Sequence, residues 1–354
     1  MAAKLSSCYA WATRPFIVGA PMRIMSGPAL AVAISRAGGL GFIGPGAKTQ
    51  DTAVDLEQAS KLMEQARASS SVFDKLSPAN SLLPVGVGYQ MWAGDINVAV
   101  AAIEKFKPCA VWLYAPKESL EEFDDWSRSI RQVSPGTQIW IQIGTLREAK
   151  QLLISSEKPD AVVVQGAESG GHGRAKDGLG IITLFPEVAD AMESTDIPLL
   201  AAGGIADGRG VAAALCLGAS GVVMGTRFLA ANEARISKGY QNEILRASDG
   251  AASTTRTLLY NHLRGTFGWP AEYSPRTIIN RSFIEYQAGR AFDELKALHD
   301  EAVIKGDSAW GPEGRVATYA GASIGLIHEM ADAADIVREV QKDAVRRLQS
   351  AVAS

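Results

Sequence analysis

The fold of this chain is decided by residues 198–229, PLLAAGGIADGRGVAAALCLGASGVVMGTRFL. This stretch holds an apolar run, a turn with paired glycines, an alanine-rich segment of helical character over residues 207–217, and a second apolar run from Gly221. Runs that are apolar throughout, rather than at every second position, are typical of parallel strands buried on both faces. The stretch therefore predicts a strand–helix–strand unit of a parallel sheet.

The same pattern extends back towards the N-terminus. Stretches of helical character lie between the apolar runs, for example over residues 27–37 and 145–154, and most runs begin 23 to 29 residues after the previous one. That alternation predicts an α/β fold, a (β/α)8 TIM barrel over residues 1–229, with an open doubly wound sheet as the alternative. The six other predicted strands begin near Phe16, Gly39, Leu82, Cys109, Gln138 and Ala161.

The pattern changes after the last predicted strand. We predict helices over residues 288–303 and from residue 323 to the C-terminus, and a stretch with prolines and aromatic residues, 268–283, precedes them. We interpret residues 230–354 as a C-terminal helical extension packed on the barrel, not as an independent catalytic domain.

Composition narrows the classes of function. The chain has 354 residues, of which 47% are hydrophobic and 21% charged, as in a globular protein with a substantial core. Its formal net charge of −3 gives no basic field for nucleic acid or an anionic membrane. We therefore expect a small-molecule substrate and no nucleic-acid partner, and the sequence does not indicate an oligomeric state.

The cysteines and the apolar runs indicate in which cellular compartment the protein is expected. Cys8, Cys109 and Cys216 are scattered, which argues against a disulfide framework and against a zinc site. No apolar run approaches the roughly 20 residues of a membrane span, and the N-terminal stretch lacks the apolar core of a secretory signal. We expect a cytoplasmic protein without a bound metal.

Glycine-rich turns follow the two strands of residues 198–229. In TIM barrels the loops after the last two strands commonly bind phosphate, because backbone N–H groups there can approach a ligand closely. The alternative is a pair of tight turns without a ligand. The residues at these two strand ends are Gly203, Gly204, Met224, Gly225, Thr226 and Arg227.

Four glycines surround His172 in the sequence QGAESGGHG, residues 165–173, which follows the sixth predicted strand. An imidazole titrates near neutral pH and so suits proton abstraction from a carbon acid. The alternative is a loop histidine with a structural hydrogen bond. Glu168 in the same loop is either a second acid/base group or a carboxylate that binds amides of the next loop.

Two further features are compatible with a flat aromatic ligand. The turn of Ala20, Pro21 and Met22 after the first strand could lie against its ring, and Gln142 on the fifth strand could hydrogen-bond a ring carbonyl. An ordinary strand exit and an ordinary polar side chain are the alternatives.

Together these motifs resemble the nitronate monooxygenase (2-nitropropane dioxygenase-like) family. GAPM, AGGLGFIG, QGAESGGHG, AAGGI and MGTRF occur in the family's order over about the first two-thirds of the chain. The resemblance implies a TIM barrel that holds non-covalent FMN. The flavin or phosphate contacts that we assign are Ala20, Pro21, Met22, Gln142, Gln165, Gly166, Gly170, Gly171, Gly203, Gly204, Met224, Gly225, Thr226 and Arg227.

The resemblance also implies an activity. His172 matches the family's catalytic histidine, which takes the α-proton of a neutral nitroalkane or stabilises a bound nitronate. The implied reaction is oxidation of alkyl nitronates by O2 to carbonyl compounds and nitrite. Three alternatives stay open: an NAD(P)H-dependent flavin reductase of quinones or enoyl thioesters, a flavin-free isomerase or lyase of a phosphorylated substrate, and a flavin-binding protein without turnover.

The chain departs from the family pattern at several positions. Ser169 stands where the family usually has alanine, residues 86–89 lack the asparagine that many members carry, and Trp112 and Tyr114 are bulkier than expected. Because these positions would line the barrel mouth, we expect them to affect the choice of substrate rather than the fold.

Overall fold

The computed structural model describes residues 2–67 and 82–353, in which eight parallel strands close into a barrel. A three-stranded antiparallel sheet lies outside it. The barrel strands are β1 (Ile17–Gly19), β2 (Leu40–Ile43), β3 (Leu83–Gln90), β4 (Pro108–Tyr114), β5 (Gln138–Ile143), β6 (Ala161–Gln165), β8 (Leu199–Ala202) and β9 (Gly221–Met224), and the outer sheet consists of β7 (Gly171–Arg174), β10 (Thr254–Arg256) and β11 (Tyr273–Ile278).

The parallel barrel confirms the predicted fold. Each of the eight predicted strands exists and begins within one residue of its predicted start. The last strand pairs with the first, with Val222 opposite Ile17 and Met224 opposite Gly19. This closure excludes the open doubly wound sheet.

Small residues on the strands make room for aromatic side chains inside the barrel. A Cβ added to Gly86 would lie 2.2 Å from the Phe42 ring, so only glycine fits there. The rings of Phe42, Trp112 and Trp140 pack together with centroids 5.1 to 6.1 Å apart, and all three are buried. This aromatic layer fills the barrel interior, so a ligand site has to lie at an end of the barrel.

Amphipathic helices cover the outside of the barrel and bury their apolar faces against the strands. Residues 27–37, 145–154 and 207–217, in which we predicted helical character, each contain a helix. The α-helices are α1 (Ala2–Cys8), α2 (Pro28–Arg36), α3 (Asp51–Arg67), α4 (Ile96–Phe106), α5 (Glu122–Val133), α6 (Leu146–Ile154), α7 (Ile181–Ala191), α8 (Gly208–Cys216), α9 (Thr226–Leu229), α10 (Lys238–Arg246), α11 (Gly250–Ser253), α12 (Leu259–Leu263), α13 (Arg281–Gln287), α14 (Phe292–Ile304) and α15 (Ala333–Ala353).

The C-terminal helix α15 lies in the outer helical ring of the barrel. It packs against α8 and α2, the helices that follow β8 and β1. Ile336, Val340 and Ala344 belong to the same buried cluster as the barrel helices. A Cβ added to Gly208 would lie 2.5 Å from the Ala344 nitrogen, so glycine permits the close approach of α8. The division of the chain into two domains at residue 229 stays a prediction. Although α15 lies after this boundary in the chain, it packs against helices of the barrel.

Residues 230–332 contain the helices α10 to α14 but also contribute strands. β10 and β11 pair antiparallel, and β11 continues the sheet onto β7, which belongs to the loop after β6. This sheet is an addition to the predicted helical extension. It joins segments about 100 residues apart, which periodicity within one segment cannot reveal.

The two helices predicted in the extension begin later than expected. Residues 288–291 connect α13 to α14 through Gly289, whose φ of +88° is left-handed and ends the first helix. The last helix begins at Ala333 rather than near residue 323. Before it, Ala322–Leu326 form a single 3-10 segment, and Ala331 bridges to Ala231, which keeps the chain extended there.

None of the described helices is both long and apolar enough to cross a membrane.

Candidate active site

A cavity of about 510 Å³ opens at the carboxyl ends of the barrel strands. Trp112, from the aromatic layer inside the barrel, is part of its lining. The structure brings most of the predicted site residues together there. Those that line the cavity are His172, Ala20, Pro21, Met22, Gln142, Gln165, Gly170, Gly171, Gly203, Gly204, Gly225 and Thr226.

Three residues that we predicted to contact the cofactor, Gly166, Met224 and Arg227, are not part of this lining. The Gly166 amide donates to the Ala202 carbonyl, and its own carbonyl accepts from the Ser169 amide. Met224 is fully buried in the barrel core. Arg227 is buried and donates to the Glu329 carbonyl at 3.3 Å. These three residues therefore stabilise the strand ends, and their contact with a ligand stays a prediction.

The turns after β8 and β9 form a cradle of exposed backbone. Gly203 and Gly204 have φ angles of +95° and +76°, which glycine adopts without strain. Within the described part of the chain, no acceptor takes a hydrogen bond from the amides of Gly204, Gly225 or Thr226. Because β8 and β9 are paired neighbours, these donors lie on adjacent turns. Such a cluster of free amides fits a phosphate group.

The start of α8 is not part of this cradle. The Asp207 side chain caps the helix by accepting hydrogen bonds from the amides of Arg209 and Gly210. A phosphate would therefore be held by the loop amides rather than by the amino end of α8.

Polar and flat surfaces also line the cavity. Ala20 is fixed by its amide, which donates to the Met224 carbonyl, so the turn through Pro21 is anchored to β9. The Gln142 oxygen accepts from Trp112 Nε1 at 3.1 Å. That bond orients the Gln142 amide and leaves its NH2 group for a ring carbonyl or nitrogen. These features fit an isoalloxazine ring.

His172 lies on β7, not in a free loop. β7 pairs with β11, and His172 is opposite Pro275. Its ring stacks on Trp269 with centroids 3.6 Å apart and planes 6° from parallel. The Asn261 amide nitrogen lies 2.8 Å from His172 Nε2, and the Tyr114 hydroxyl donates to the His172 carbonyl at 2.8 Å. The ring is thus held on one face and at one nitrogen.

Electrostatics keep this histidine uncharged. Burial lowers the pKa of His172 well below its usual range, and the positive charges of Arg264, Arg256 and Arg23 act in the same direction. The imidazole is therefore neutral at physiological pH, which is the form that can accept a proton.

Two of these arginines also give the cavity a positive potential. Arg23 donates to the Ala47 carbonyl, and Arg264 donates to the Tyr260 carbonyl and the Tyr319 hydroxyl. Neither arginine is in an ion pair among the described residues, although the charge of Asp51 acts on Arg23. No Asp or Glu is among the described residues that line the cavity. A small anion is favoured in such a site.

Half-buried Arg256 clamps the loop before His172. Its guanidinium donates to the carbonyls of Ala167, Ser169, Gly171 and Ser274 and to the Ser169 hydroxyl. The Ser169 hydroxyl, a departure from the family pattern, is thus explained as part of this clamp. Glu168 is the amide-binding carboxylate of the two alternatives, because both its oxygens lie 3.3 Å from the Ile181 amide nitrogen.

Sequence reasoning missed the partners that the extension brings to the site. No local pattern marks them, since they lie 84 to 147 residues from His172 in the chain. The only signal was the run of aromatic residues and prolines at 268–283. The missed residues that surround the histidine are Arg256, Asn261, Arg264, Trp269 and Tyr319.

Known proteins share this sequence and architecture. Residues 97–266, which include His172, match the family model described as nitronate monooxygenase. The nitronate monooxygenase npaC of Metarhizium robertsii is 56% identical over 349 residues, covering 99% of this chain and 96% of that protein. The chain belongs to the nitronate monooxygenase family. A nitronate monooxygenase of Neurospora crassa is 32% identical over 362 residues, covering 98% of this chain and 93% of that protein.

Solved structures show the same fold over the whole chain. FabK from Thermotoga maritima superposes with a TM-score of 0.70 at 26% identity, covering 99% of this chain and 98% of that one. Membership of the nitronate monooxygenase family makes this chain an oxidoreductase and implies a flavin cofactor, as the sequence motifs predicted. The flavin-free isomerase or lyase is thereby set aside.

Proposed function

We propose that this enzyme binds FMN and oxidises alkyl nitronates with O2 to carbonyl compounds and nitrite, with His172 as the base when the substrate is a neutral nitroalkane. The observation that carries the proposal is the position of His172, which shares one cavity with the glycine cradle. Two nitronate anions and one O2 balance to two carbonyl compounds and two nitrite ions.

The residues fit FMN from end to end. The free amides of Gly204, Gly225 and Thr226 would hold the phosphate, and Gly203 shapes the turn beside them. A side chain on Gly203 would lie within 2.8 Å of the Gly166 carbonyl, so the cradle depends on glycine. The turn at Ala20, Pro21 and Met22 would lie against the ring, and the NH2 groups of Gln142 and Gln165 would be available at its polar edge. When bound, the flavin supplies the electron acceptor.

The chain's own residues bind and orient the substrate. Arg23 and Arg264 attract the nitronate anion and stabilise the negative charge that develops when a nitroalkane loses its proton. Neutral His172 accepts that proton, while Trp269 holds the imidazole plane by stacking. Trp92, packed against Trp269 with centroids 4.9 Å apart, contributes an apolar wall for the alkyl group.

The test is a visible spectrum of the purified protein, followed by anaerobic addition of propyl-2-nitronate. We expect bound FMN, identified by mass after denaturation, and bleaching of its bands by the nitronate. If the flavin bands do not change on addition of nitronate but bleach with NADH, this function is rejected in favour of an NAD(P)H-dependent flavin reductase. Bands that respond to neither would indicate flavin binding without turnover.

A further inference from the structure

A series of hydrogen bonds leads from Arg264 to the catalytic imidazole. Arg264 Nη2 donates to the Tyr319 hydroxyl, which lies 3.4 Å from Asn261 Oδ1. Asn261 Nδ2 lies 2.8 Å from His172 Nε2. Asn261 is fully buried, so its amide has to find its partners within the protein.

The chemistry of the first donor fixes the direction of the whole series. A guanidinium has donors and no acceptor, so the Tyr319 hydroxyl accepts from Arg264. The hydroxyl proton of Tyr319 is then free to be donated to Asn261 Oδ1. This turns the amide NH2 of Asn261 towards His172, whose Nε2 has to accept. A neutral imidazole that accepts at Nε2 carries its proton on Nδ1.

We propose that Asn261 is a positioning residue that holds His172 as the neutral tautomer protonated on Nδ1, with Tyr319 and Arg264 fixing the orientation of the amide. The inference rests on the proposed function only for its kinetic consequence. A proton can enter at Nε2 only if the Asn261 amide turns so that Oδ1 accepts from the new N–H. The turned amide would then donate to Tyr319, whose hydroxyl would have to accept a second bond, so the network opposes protonation of the resting enzyme.

The tautomer can be observed directly by 15N NMR of protein labelled at its four histidines, with the His172→Asn spectrum assigning the signal. We expect an unprotonated Nε2 and a protonated Nδ1 at neutral pH. In Asn261→Asp the new carboxylate accepts from Nε2–H, and we expect the ring to become an imidazolium. A wild-type ring protonated on Nε2, or a ring whose state is unchanged in Asn261→Asp, would overturn the proposal.

Kinetics separate positioning from a merely structural role. The rate of neutral nitroalkane turnover declines below a certain pH, the acidic limb of its pH profile. This limb should move to a higher pH by about one to three units in Asn261→Asp. Turnover of preformed nitronate, which needs no base, should keep its wild-type pH profile. Tyr319→Phe should move the limb in the same direction by less. The titratable and charged groups around the ring are Arg23, Arg256, Arg264, Tyr114 and Tyr319.

Tyr260→Phe is the matched control. The Tyr260 hydroxyl donates to Asn280 Oδ1 at 2.7 Å, a buried Tyr–Asn bond of the same kind that does not contact His172. An equal shift in Tyr260→Phe and Tyr319→Phe would show a general packing effect and reject the proposal. If nitronate fails to bleach the flavin, the proposed function fails, while the NMR experiment still decides the tautomer.

Discussion

Neutral His172 is the residue on which turnover of a neutral nitroalkane should depend. Replacing His172 by Asn removes the base but leaves the phosphate cradle at Gly203 and Gly204 untouched. We expect FMN content to be retained and nitroalkane turnover to fall by about 10²–10⁴-fold, the usual contribution of a general base. Turnover of preformed nitronate should fall far less. Absorbance of bound flavin and initial rates with both substrate forms measure this.

The opposite pattern would reject the base assignment for His172. A His172→Asn protein that lost its flavin, yet turned over nitroalkane at the wild-type rate per bound flavin, would make the residue structural.

The low pKa of His172 determines the pH profile. Because burial and three arginines lower this pKa, the ring stays neutral as the pH falls through 6.5, the ordinary value. Turnover of neutral nitroalkane should therefore remain constant down to that pH and decline only below it. Arg23→Gln removes one of the opposing charges, so the decline should begin at a higher pH than in the wild type. A wild-type rate that already declines at or above pH 6.5 would contradict a lowered pKa of His172.

At the scale of elements, the loop that precedes β7 depends on the clamp formed by Arg256. Arg256→Met removes the guanidinium donor from the carbonyls of Ser169, Gly171 and Ser274, while Ala167 keeps its bond from Arg276. We expect a loss of several kcal/mol in the free energy of unfolding, since each group left unsatisfied costs about 1–3 kcal/mol. Ser169→Ala removes only the hydroxyl contact and should cost about 1 kcal/mol. Urea unfolding measures both. Equal losses in the two variants would show that the clamp does not act through the carbonyls.

The two glycine turns offer a test of the cradle with an internal control. Gly203→Ala places a Cβ at a φ of +95° and 2.8 Å from the Gly166 carbonyl, so both stability and FMN affinity should fall. Gly225 has a φ of −105°, and its added Cβ would lie 3.7 Å from its nearest neighbours. Gly225→Ala should therefore fold normally. Weaker FMN binding in Gly225→Ala, measured by fluorescence titration, would report contact with the cofactor; unchanged binding would remove Gly225 from the cradle.

Local pattern explains why the barrel elements were predictable from the sequence. Each strand is an apolar run bounded by polar or glycine-rich residues, and those signals are contained within one segment. The helix predicted over residues 288–303 begins only at Phe292. The apolar periodicity of the sequence continues across Gly289, so it does not reveal that the left-handed φ of this residue interrupts the helix. β7 and β11 were missed for another reason: their pairing depends on a partner about 100 residues away, and Pro275 within β11 weakens the strand signal.

At the scale of the whole molecule, the site is assembled from two parts of the chain. The barrel strands and the loops that follow them supply the cradle and His172, which the motifs identified. Residues 254–319 supply the groups that stack on the ring, bind its nitrogen and depress its pKa, among them Trp269, Asn261 and Arg264. A single sequence cannot show that these side chains meet the histidine, because only the tertiary fold brings them there.

The packing of α15 predicts that the barrel depends on this helix for its stability. Ile336 is fully buried between α15 and the barrel helices, whereas Val345 on the same helix is 38% exposed. Ile336→Ala should lower the free energy of unfolding by about 2–5 kcal/mol, because it leaves a cavity in the core. Val345→Ala should change it by less than about 0.5 kcal/mol, so it serves as the control for helix propensity. Urea unfolding of the flavin-loaded proteins, followed by flavin and tryptophan fluorescence, should show both signals lost in one transition. If Ile336→Ala were no more damaging than Val345→Ala, the barrel would not depend on the packing of α15.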